Sequence, residues 1–423
     1  MKYAGFGPRS WDRARPARRS RLSRCLVWHT GLKWRSGALG LGLAGVVLAG
    51  VVLAGCEGGG PAPGGRVASR DPAHAAGRAR PAAGPAVFCA VRPTASLRAE
   101  LAQTVPESLH GEVVPLGMSS SGTTAYVSVW TGGFSGVAAL NLASGSLRTI
   151  RPFADPATDQ ADGSSGGRWV AWAETHSLST LDDFTIYAWD SVTGRLLTLG
   201  HSINRPGGTP WPSPWHPPAV SGNYAAWAQG YGAGGEVEVR LADLATGQVR
   251  VIRTGHTQPP FFDRSLVVWP ESDRPGARTT LHALSLATGR PAALPPVLRA
   301  VRGTEFAVTD GTRTAYFSPD LTSLSYSPTQ DRQARVVLRL PAGDYFSNLA
   351  MGPGTLAWTT TAATYLASTR TGGYAQVTRR YGDATGSGSG VVISDAPSGK
   401  ADHPVLPMHV ISPARLIWPA CRA

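Results

Sequence analysis

The sequence predicts an all-β protein built by repeating one unit of about four short strands. The unit is clearest over residues 221–254, where an apolar run ends at Trp227 and an alternating strand begins at Val237. A corner over 243–247 and a further alternating strand complete it. Alternation of apolar and polar residues, bounded by Gly, Asn or Asp, is typical of strands, and strands this close in sequence predict an antiparallel meander.

Six further stretches repeat this unit, the last of them loosely: 122–150, 167–199, 263–294, 311–340, 354–379 and 390–419. Each stretch has an apolar or aromatic anchor at the position of Trp227, namely Val127, Trp172, Trp269, Phe317, Trp358 and Ile393. Successive anchors are 35 to 55 residues apart. A four-stranded propeller blade occupies about 40–50 residues, so this spacing favours one blade for each anchor.

The corner recurs as well, over 141–145, 190–194 and 285–289. A short polar side chain begins each corner by bonding the backbone beyond it, and a glycine ends it where the hairpin needs a positive φ. Repeated antiparallel sheets protect their edges by closing radially. We therefore expect a β-propeller with about seven four-stranded blades, with six and eight as the alternatives.

An apolar-apolar-aromatic strand followed by an Asp-x-x-Thr-Gly corner resembles the pattern of TolB-like, WD-repeat-like propellers of bacterial envelopes, over residues 110–423. The resemblance implies the fold and says little about function. Quinoprotein propellers share the corner but place a tryptophan soon after it, and residues 195–199 and 248–252 contain none. We therefore expect no cofactor.

The N-terminal residues have the organisation of a secretory signal: an arginine-rich run, an uncharged apolar run over 38–55, and then Cys56. Residues 53–56, Leu-Ala-Gly-Cys, resemble the lipobox of bacterial lipoproteins. The resemblance implies that Cys56 is diacylated and anchors the mature chain to the cell membrane, on its extracytoplasmic face or in a periplasm. The alternative is an uncleaved anchor, since the 18 residues of 38–55 could nearly span a bilayer.

We divide the chain into a lipoprotein signal peptide (1–55), a flexible linker that begins at the lipidated cysteine (56–85) and a propeller domain (86–423). The linker is rich in Gly, Pro and Ala and has no strand-forming run, which is typical of a flexible spacer. The net charge of +13 belongs mostly to the leader, because residues 1–56 hold 10 of the 40 basic and 1 of the 27 acidic residues, leaving +4. The charge therefore does not indicate a nucleic-acid partner.

Cys89 and Cys421 lie near the two ends of the predicted domain. Two cysteines in an exported domain favour a disulfide, and these two would join the ends of a closed ring. A short helix is predicted near 94–103, with Thr94 or Ser96 as its cap, as a plug or clip rather than a functional element.

The anchor tryptophans recur at one position of the repeat, so we interpret them as packing between blades. The Pro-Trp loop, residues 206–218, interrupts the repeat and carries Trp211, Trp215 and His216 on a proline-rich connection. Function concentrates on loops held by a rigid scaffold, so this loop is our candidate ligand site. The alternative is a loop that folds its tryptophans over the end of a blade.

A second insertion, residues 174–183, contains Glu174, His176, Asp182 and Asp183 in a spacing that is diagnostic of no metal site. We interpret it as a solvated hairpin. No nucleophile elbow or phosphate-binding loop occurs, and we assign no catalytic residue and no metal site. The sequence thus favours a monomeric binding or scaffold module for an envelope protein or glycan. The alternative is a hydrolase or lyase that acts on a polysaccharide or peptide in the central funnel.

Overall fold

A computed structural model describes residues 87–101, 111–131, 133–156, 159–177, 182–212, 216–275, 277–304, 306–378, 382–395, 408–411 and 416–421. The predicted signal peptide, Cys56 and the linker lie outside these residues. Strands dominate the described chain, so the predicted all-β class is confirmed.

The first three groups of strands are four-stranded antiparallel sheets. The first contains β2 (Gly111–Met118), β3 (Thr124–Thr131), β4 (Ser135–Asn141) and β5 (Leu147–Pro152). The second contains β6 (Gln160–Gly166), β7 (Trp169–Thr175), β8 (Phe184–Asp190) and β9 (Leu196–His201). The third contains β10 (Ala219–Ser221), β11 (Tyr224–Gly230), β12 (Val237–Asp243) and β13 (Gln248–Thr257).

The remaining four groups continue the series along the chain. The fourth contains β14 (Phe261–Asp263), β15 (Leu266–Ser272) and β16 (Thr280–Ser285). The fifth contains β17 (Ala307–Thr309), β18 (Thr314–Phe317), β19 (Ser323–Ser327) and β20 (Arg335–Arg339). The sixth contains β21 (Phe346–Gly352), β22 (Thr355–Thr360), β23 (Thr364–Ser368) and β24 (Gly373–Thr378). The seventh contains β25 (Gly382–Gly386), β26 (Val391–Asp395) and β27 (Met408–Ile411).

The fourth group departs from the predicted four strands. Its expected outer strand is reduced to one bridge, between Leu284 and Pro291. Pro291, Pro295 and Pro296 have no backbone N–H to donate, so this stretch cannot extend the ladder. The chain instead forms a short helix, α2 (Pro296–Arg299). The end of β13 pairs with β15, which joins the third and fourth groups into one sheet.

The first strands of successive groups contact one another in chain order, from β2 through β6, β10, β14, β17 and β21 to β25. The strand β25 in turn contacts β2, so the series returns to its start. This cyclic succession of antiparallel sheets supports a β-propeller, with the first strands around the central axis.

The core lies between neighbouring sheets. Tyr126 of the first sheet packs with Trp172 and Tyr187 of the second, and Trp227 of the third packs with Trp169 of the second. All seven predicted anchors are buried in the second strand of their group, and the interpretation of the tryptophans as packing residues is therefore correct.

Antiparallel order divides the connections between two faces. We call "loop face" the one that carries the connections from each group to the next and from second to third strands, such as 176–183 and 202–218. We call "turn face" the one that carries the connections from first to second and from third to fourth strands, such as 167–168, 191–195 and 244–247. The repeated corners thus lie on the turn face, and both predicted insertions lie on the loop face.

The two ends of the described chain meet at the outer edge of the sixth sheet. The strand β1 (Cys89–Ala90) pairs in parallel with β24, and Cys89 forms a disulfide with Cys421, as predicted. The helix α1 (Ala95–Leu101) follows, with the Thr94 hydroxyl accepting the Leu97 N–H at 3.1 Å. In the described residues, neither helix has the length and apolarity needed to cross a membrane.

Candidate functional site

The Pro-Trp loop leaves the second sheet through a small hairpin. Asn204 and Pro210 form an antiparallel bridge, and the Trp211 N–H donates to the Ile203 carbonyl at 2.9 Å. The Arg205 guanidinium lies 5.0 Å from the centroid of the half-buried Trp211 ring. A cation over an indole face fixes the orientation of the ring. Trp215 lies outside the described residues.

His216 lies near the end of the loop, three residues before β10. Its ring centroid is 5.8 Å from that of Phe306, which precedes the first strand of the fifth sheet. Its Nδ1 lies 3.2 Å from the Pro217 carbonyl oxygen, so Nδ1 carries the proton and donates. Burial lowers the pKa of His216, and the imidazole is therefore neutral at pH 7. The end of the loop, which leads into the third sheet, therefore contacts a residue next to the fifth.

Gly230, at the end of β11, holds the middle of this loop close to the sheet. A Cβ at this position would lie 2.0 Å from the carbonyl oxygen of Pro212. Any side chain here would displace the loop, because real Cβ atoms do not approach an oxygen so closely. The loop can therefore lie against β11 only because residue 230 has no Cβ atom.

The second predicted insertion contributes to a polar cluster on the same face. Asp159, Glu174 and His176 have ligand-type atoms within 4.8 Å of one another. Asp183 is exposed beside β8 and Asp182 is half-buried, and neither joins this group of three. The sequence did not indicate Asp159, because it precedes β6 and meets the other two residues through strand pairing.

An arginine supplies positive charge to this cluster. Arg151 Nε and Nη2 donate to the buried Glu174 carboxylate at 2.9 and 3.1 Å. The guanidinium carbon of Arg151 also lies 4.2 Å from the Tyr187 ring centroid. A bidentate pair of this kind satisfies the carboxylate and fixes both side chains. The three-residue donor set has the chemistry of a metal site, but Glu174 already has its cation.

His176 connects the cluster to the outer strand of the sheet. Its ring lies 3.2 Å from Asp159 through Nδ1 and 3.2 Å from the Thr185 hydroxyl through Nε2. Thr185 in turn lies 3.0 Å from Nδ1 of His201, the residue that begins the connection to the Pro-Trp loop. The two predicted insertions are therefore linked by one chain of polar contacts along the second sheet.

Two carboxylates lie on first strands, near the axis. Asp162 and Asp383 are half-buried residues on β6 and β25 that alternate with buried neighbours along each strand. Burial, together with the charge of Asp383, raises the pKa of Asp162 from 3.8 to about 7. The first sheet separates their two sheets in the ring, so this interaction passes across the space that the first strands enclose. The sequence did not indicate either residue.

The axial strand also contacts the end of the Pro-Trp loop. The Ser164 hydroxyl, two residues after Asp162, donates to the Pro218 carbonyl oxygen at 2.6 Å. The loop, the polar cluster and the axial residue Asp162 are therefore all attached to the second sheet. This sheet combines an aromatic surface, fixed polar groups and a carboxyl group that titrates near neutrality.

These features belong to an all-β chain whose sheet arrangement supports a β-propeller. No protein-family model matches the chain, and no curated protein matches it in sequence. Among solved structures, it is similar to oligogalacturonate lyase from Vibrio parahaemolyticus, at 10% identity over 72% of this chain and 93% of that one, with a TM-score of 0.47. It is similar to the β-propeller domain of the trilobed protease from Pyrococcus furiosus, at 11% identity over 59% and 92%, with a TM-score of 0.38. It is also similar to TolB from Acinetobacter baumannii, at 13% identity over 63% of each chain, with a TM-score of 0.38. At these values the similarities say nothing about activity.

Proposed function

We propose that this chain is a seven-bladed propeller, tethered to the membrane through Cys56, that binds an envelope protein or glycan on its loop face. The observation that carries the proposal is that both predicted insertions lie on the loop face, next to the second sheet. His216 of the Pro-Trp loop contacts Phe306, the residue that precedes the first strand of the fifth sheet. Binding sites on propellers are built on such connections because the sheets beneath hold them rigidly.

The chemistry of the loop suits a ligand with both flat and polar surfaces. Trp211 presents an aromatic ring that Arg205 orients, and His216 presents a neutral imidazole. Aromatic rings pack against the apolar faces of sugars and side chains, while the polar edge of the site fixes orientation. A glycan or an extended protein segment offers this combination.

The binding proposal is tested by capture from envelope extracts with the full chain as bait. We expect the wild type to enrich a partner, identified by mass spectrometry, that Trp211→Ala enriches at least tenfold less. Val192→Ala, at an exposed position on the turn face, is the matched control and should enrich it as the wild type does. Equal enrichment by the wild type and Trp211→Ala would contradict the proposal.

The tether is tested separately through Cys56. Cys56→Ala, or treatment with the signal-peptidase inhibitor globomycin, should leave an unprocessed precursor. Normal maturation under either condition would refute lipidation. An anchor of two acyl chains is expected to be lasting, since each buried methylene contributes about 0.8 kcal/mol.

The axial carboxylates favour a second candidate function, a hydrolase or lyase that acts on a polysaccharide or peptide in the central funnel. A carboxyl group with a pKa of about 7 can both donate and accept a proton at neutral pH, as general acid–base catalysis requires. Asp162→Asn should then abolish any cleavage found in a screen of polysaccharides and peptides, and leave the capture by the loop unchanged. Cleavage that persists in Asp162→Asn would refute this role.

A further inference from the structure

The turn face carries a series of exposed arginines that the proposed binding site does not use. Eight exposed arginines of the described residues lie there, on six of the seven strand groups: Arg148, Arg168, Arg195, Arg250, Arg264, Arg290, Arg335 and Arg370. The domain as a whole has a small net charge, so this positive charge is a property of one face and not of the composition.

Three of these arginines repeat one geometry. The Arg148 guanidinium lies 4.7 Å from the Trp189 ring centroid in the next sheet. Arg195 Nη1 donates to the Ala245 carbonyl at 3.2 Å, again in the next sheet. Arg250 reaches the following corner, where a Cβ at Gly289 would lie 3.2 Å from its Nη1. Each side chain therefore lies along the surface with its guanidinium group against the neighbouring sheet, and each of the three residues remains exposed.

The acidic residues of the turn face are largely used within it. Asp190 is buried, accepts the Val192 N–H at 3.0 Å and pairs with Arg168 at 3.2 Å. Asp243 accepts the Ala245 N–H at 2.9 Å in the equivalent corner.

Two acidic residues are exposed on the described part of this face. Asp310 pairs with Arg313, and Asp331 is the other. The exposed guanidinium groups thus outnumber the exposed carboxylates, and an arginine keeps its charge at any physiological pH.

The described connections between consecutive strands on the turn face are short, with at most seven residues, whereas the loop face carries a longer one. The connections 167–168, 222–223, 264–265 and 353–354 have two residues each, while the loop-face connection 202–218 has 17. A surface of short connections with spread positive charge complements a planar anionic surface better than it complements a groove-binding peptide.

The first described strand also begins at the turn-face end of its sheet. Cys89 lies opposite Gly373, the residue of β24 nearest the turn face, and β1 runs parallel to β24. The Cys421 N–H donates to the carbonyl of Thr371 in the adjoining turn at 3.3 Å. The first described residues therefore lie at the turn-face end of the sixth sheet, and the Phe88 N–H donates to the Val337 carbonyl of the fifth sheet at 2.8 Å.

We propose that the turn face docks on anionic phospholipid headgroups, so that the loop face points away from the membrane. The proposal rests on the tether of the proposed function, which supplies the proximity. An arginine near an anionic membrane contributes about 1 kcal/mol, a factor of about five in the docking equilibrium. Loss of three arginines should therefore lower this equilibrium about a hundredfold.

The test is hydrogen exchange of the full chain, reconstituted in vesicles of phosphatidylcholine alone or mixed with phosphatidylglycerol. We expect the turn-face segments 191–195, 244–247 and 286–289 to exchange several-fold more slowly on the anionic vesicles at low salt. The loop-face segment 231–236 should exchange equally on both. Raising the salt from 0.05 to 0.5 M should remove the difference, because it shortens the range of the charges.

Two matched variants remove equal charge from the two faces. Arg195→Gln/Arg250→Gln/Arg290→Gln should lose the protection of the turn face. A second triple variant, Arg274→Gln/Arg278→Gln/Arg299→Gln, replaces three exposed arginines of the loop face. This variant should keep the protection of the turn face. Thermal unfolding of both variants shows that each is folded at the assay temperature.

Protection that is equal on neutral vesicles, or that persists in the turn-face variant, would overturn the docking. Acylation of Cys56 is read from the intact mass of the same sample. An acylated chain without protection refutes the docking alone, and a protected chain without acylation refutes the tether alone. A chain with neither contradicts both.

Discussion

Replacement of Asp162 by asparagine should change how the stability of the protein depends on pH. The folded chain raises the pKa of Asp162 to about 7, first through burial and then through the charge of Asp383. A carboxyl group whose pKa is higher in the folded state favours folding while it is protonated. That contribution is complete below about pH 4 and is lost as the pH rises towards 7.

The magnitude follows from the two pKa values. The difference between 3.8 and about 7 corresponds to about 4 kcal/mol between the protonation states, as an order of magnitude. Integration over the titration gives a loss of about 2–3 kcal/mol between pH 5 and pH 8. Asparagine does not titrate, so Asp162→Asn should become more stable relative to the wild type by this amount over the same interval.

The assay is urea unfolding of the wild type and Asp162→Asn at pH 5 and pH 8. The difference in unfolding free energy between the two proteins isolates Asp162 together with its coupling to Asp383, because the remaining groups titrate in both. Asp383→Asn should reduce the pH dependence without removing it, since burial is the larger cause. Asp331→Asn, at an exposed position, is the control. Free-energy differences that are equal at pH 5 and pH 8 would refute a raised pKa for Asp162.

Three further changes test other contacts. Arg151→Ala should lower the unfolding free energy by about 3–5 kcal/mol, because it leaves the buried Glu174 carboxylate without its cation. Replacement of both residues by methionine should lower it much less, as measured by chemical unfolding. Cys89→Ser/Cys421→Ser opens a covalent loop with a sequence separation of 332. The unfolding free energy of this variant should therefore be lower than that of the wild type by up to about 6 kcal/mol. An unchanged unfolding free energy would contradict the chain-entropy argument. Gly230→Ala should displace the Pro-Trp loop, at a cost of about 1–3 kcal/mol in stability. The variant should also lose the capture proposed for this loop. Retained capture would show that the loop does not need its close contact with β11.

The features that sequence reasoning predicted well are local. Trp172 and Trp227 end short apolar runs, and the corners at Asp190 and Asp243 combine a short polar residue with a glycine a few positions later. These patterns reflect hydrogen bonds and packing within one hairpin, so they can be recognised without the rest of the chain. The disulfide was also predictable, because the domain has two cysteines and they flank it.

The features that sequence reasoning missed depend on contacts between sheets. Arg151 belongs to the first sheet, and its partner Glu174 belongs to the second. Asp162 and Asp383 are far apart in sequence and interact because the ring brings β25 back to β2. The alternation of half-buried and buried residues in β6 would have placed Asp162 near the axis, had the first strand of that unit been recognised. That strand, Gln160–Gly166, is rich in Gly and Ser and has no apolar pattern.

The pairing of Cys89 with Cys421 also decides how the protein bears force. A pull on the chain segment before Cys89 would enter the domain at Cys89 and pass at once into the opposite end of the described chain through a covalent bond. Tension is therefore divided between both ends before it reaches β2, and the strands from β2 to β27 lie inside a closed covalent loop. A force applied at the loop face would therefore act on the ring of sheets as one body, and would not first separate β2 from the other strands.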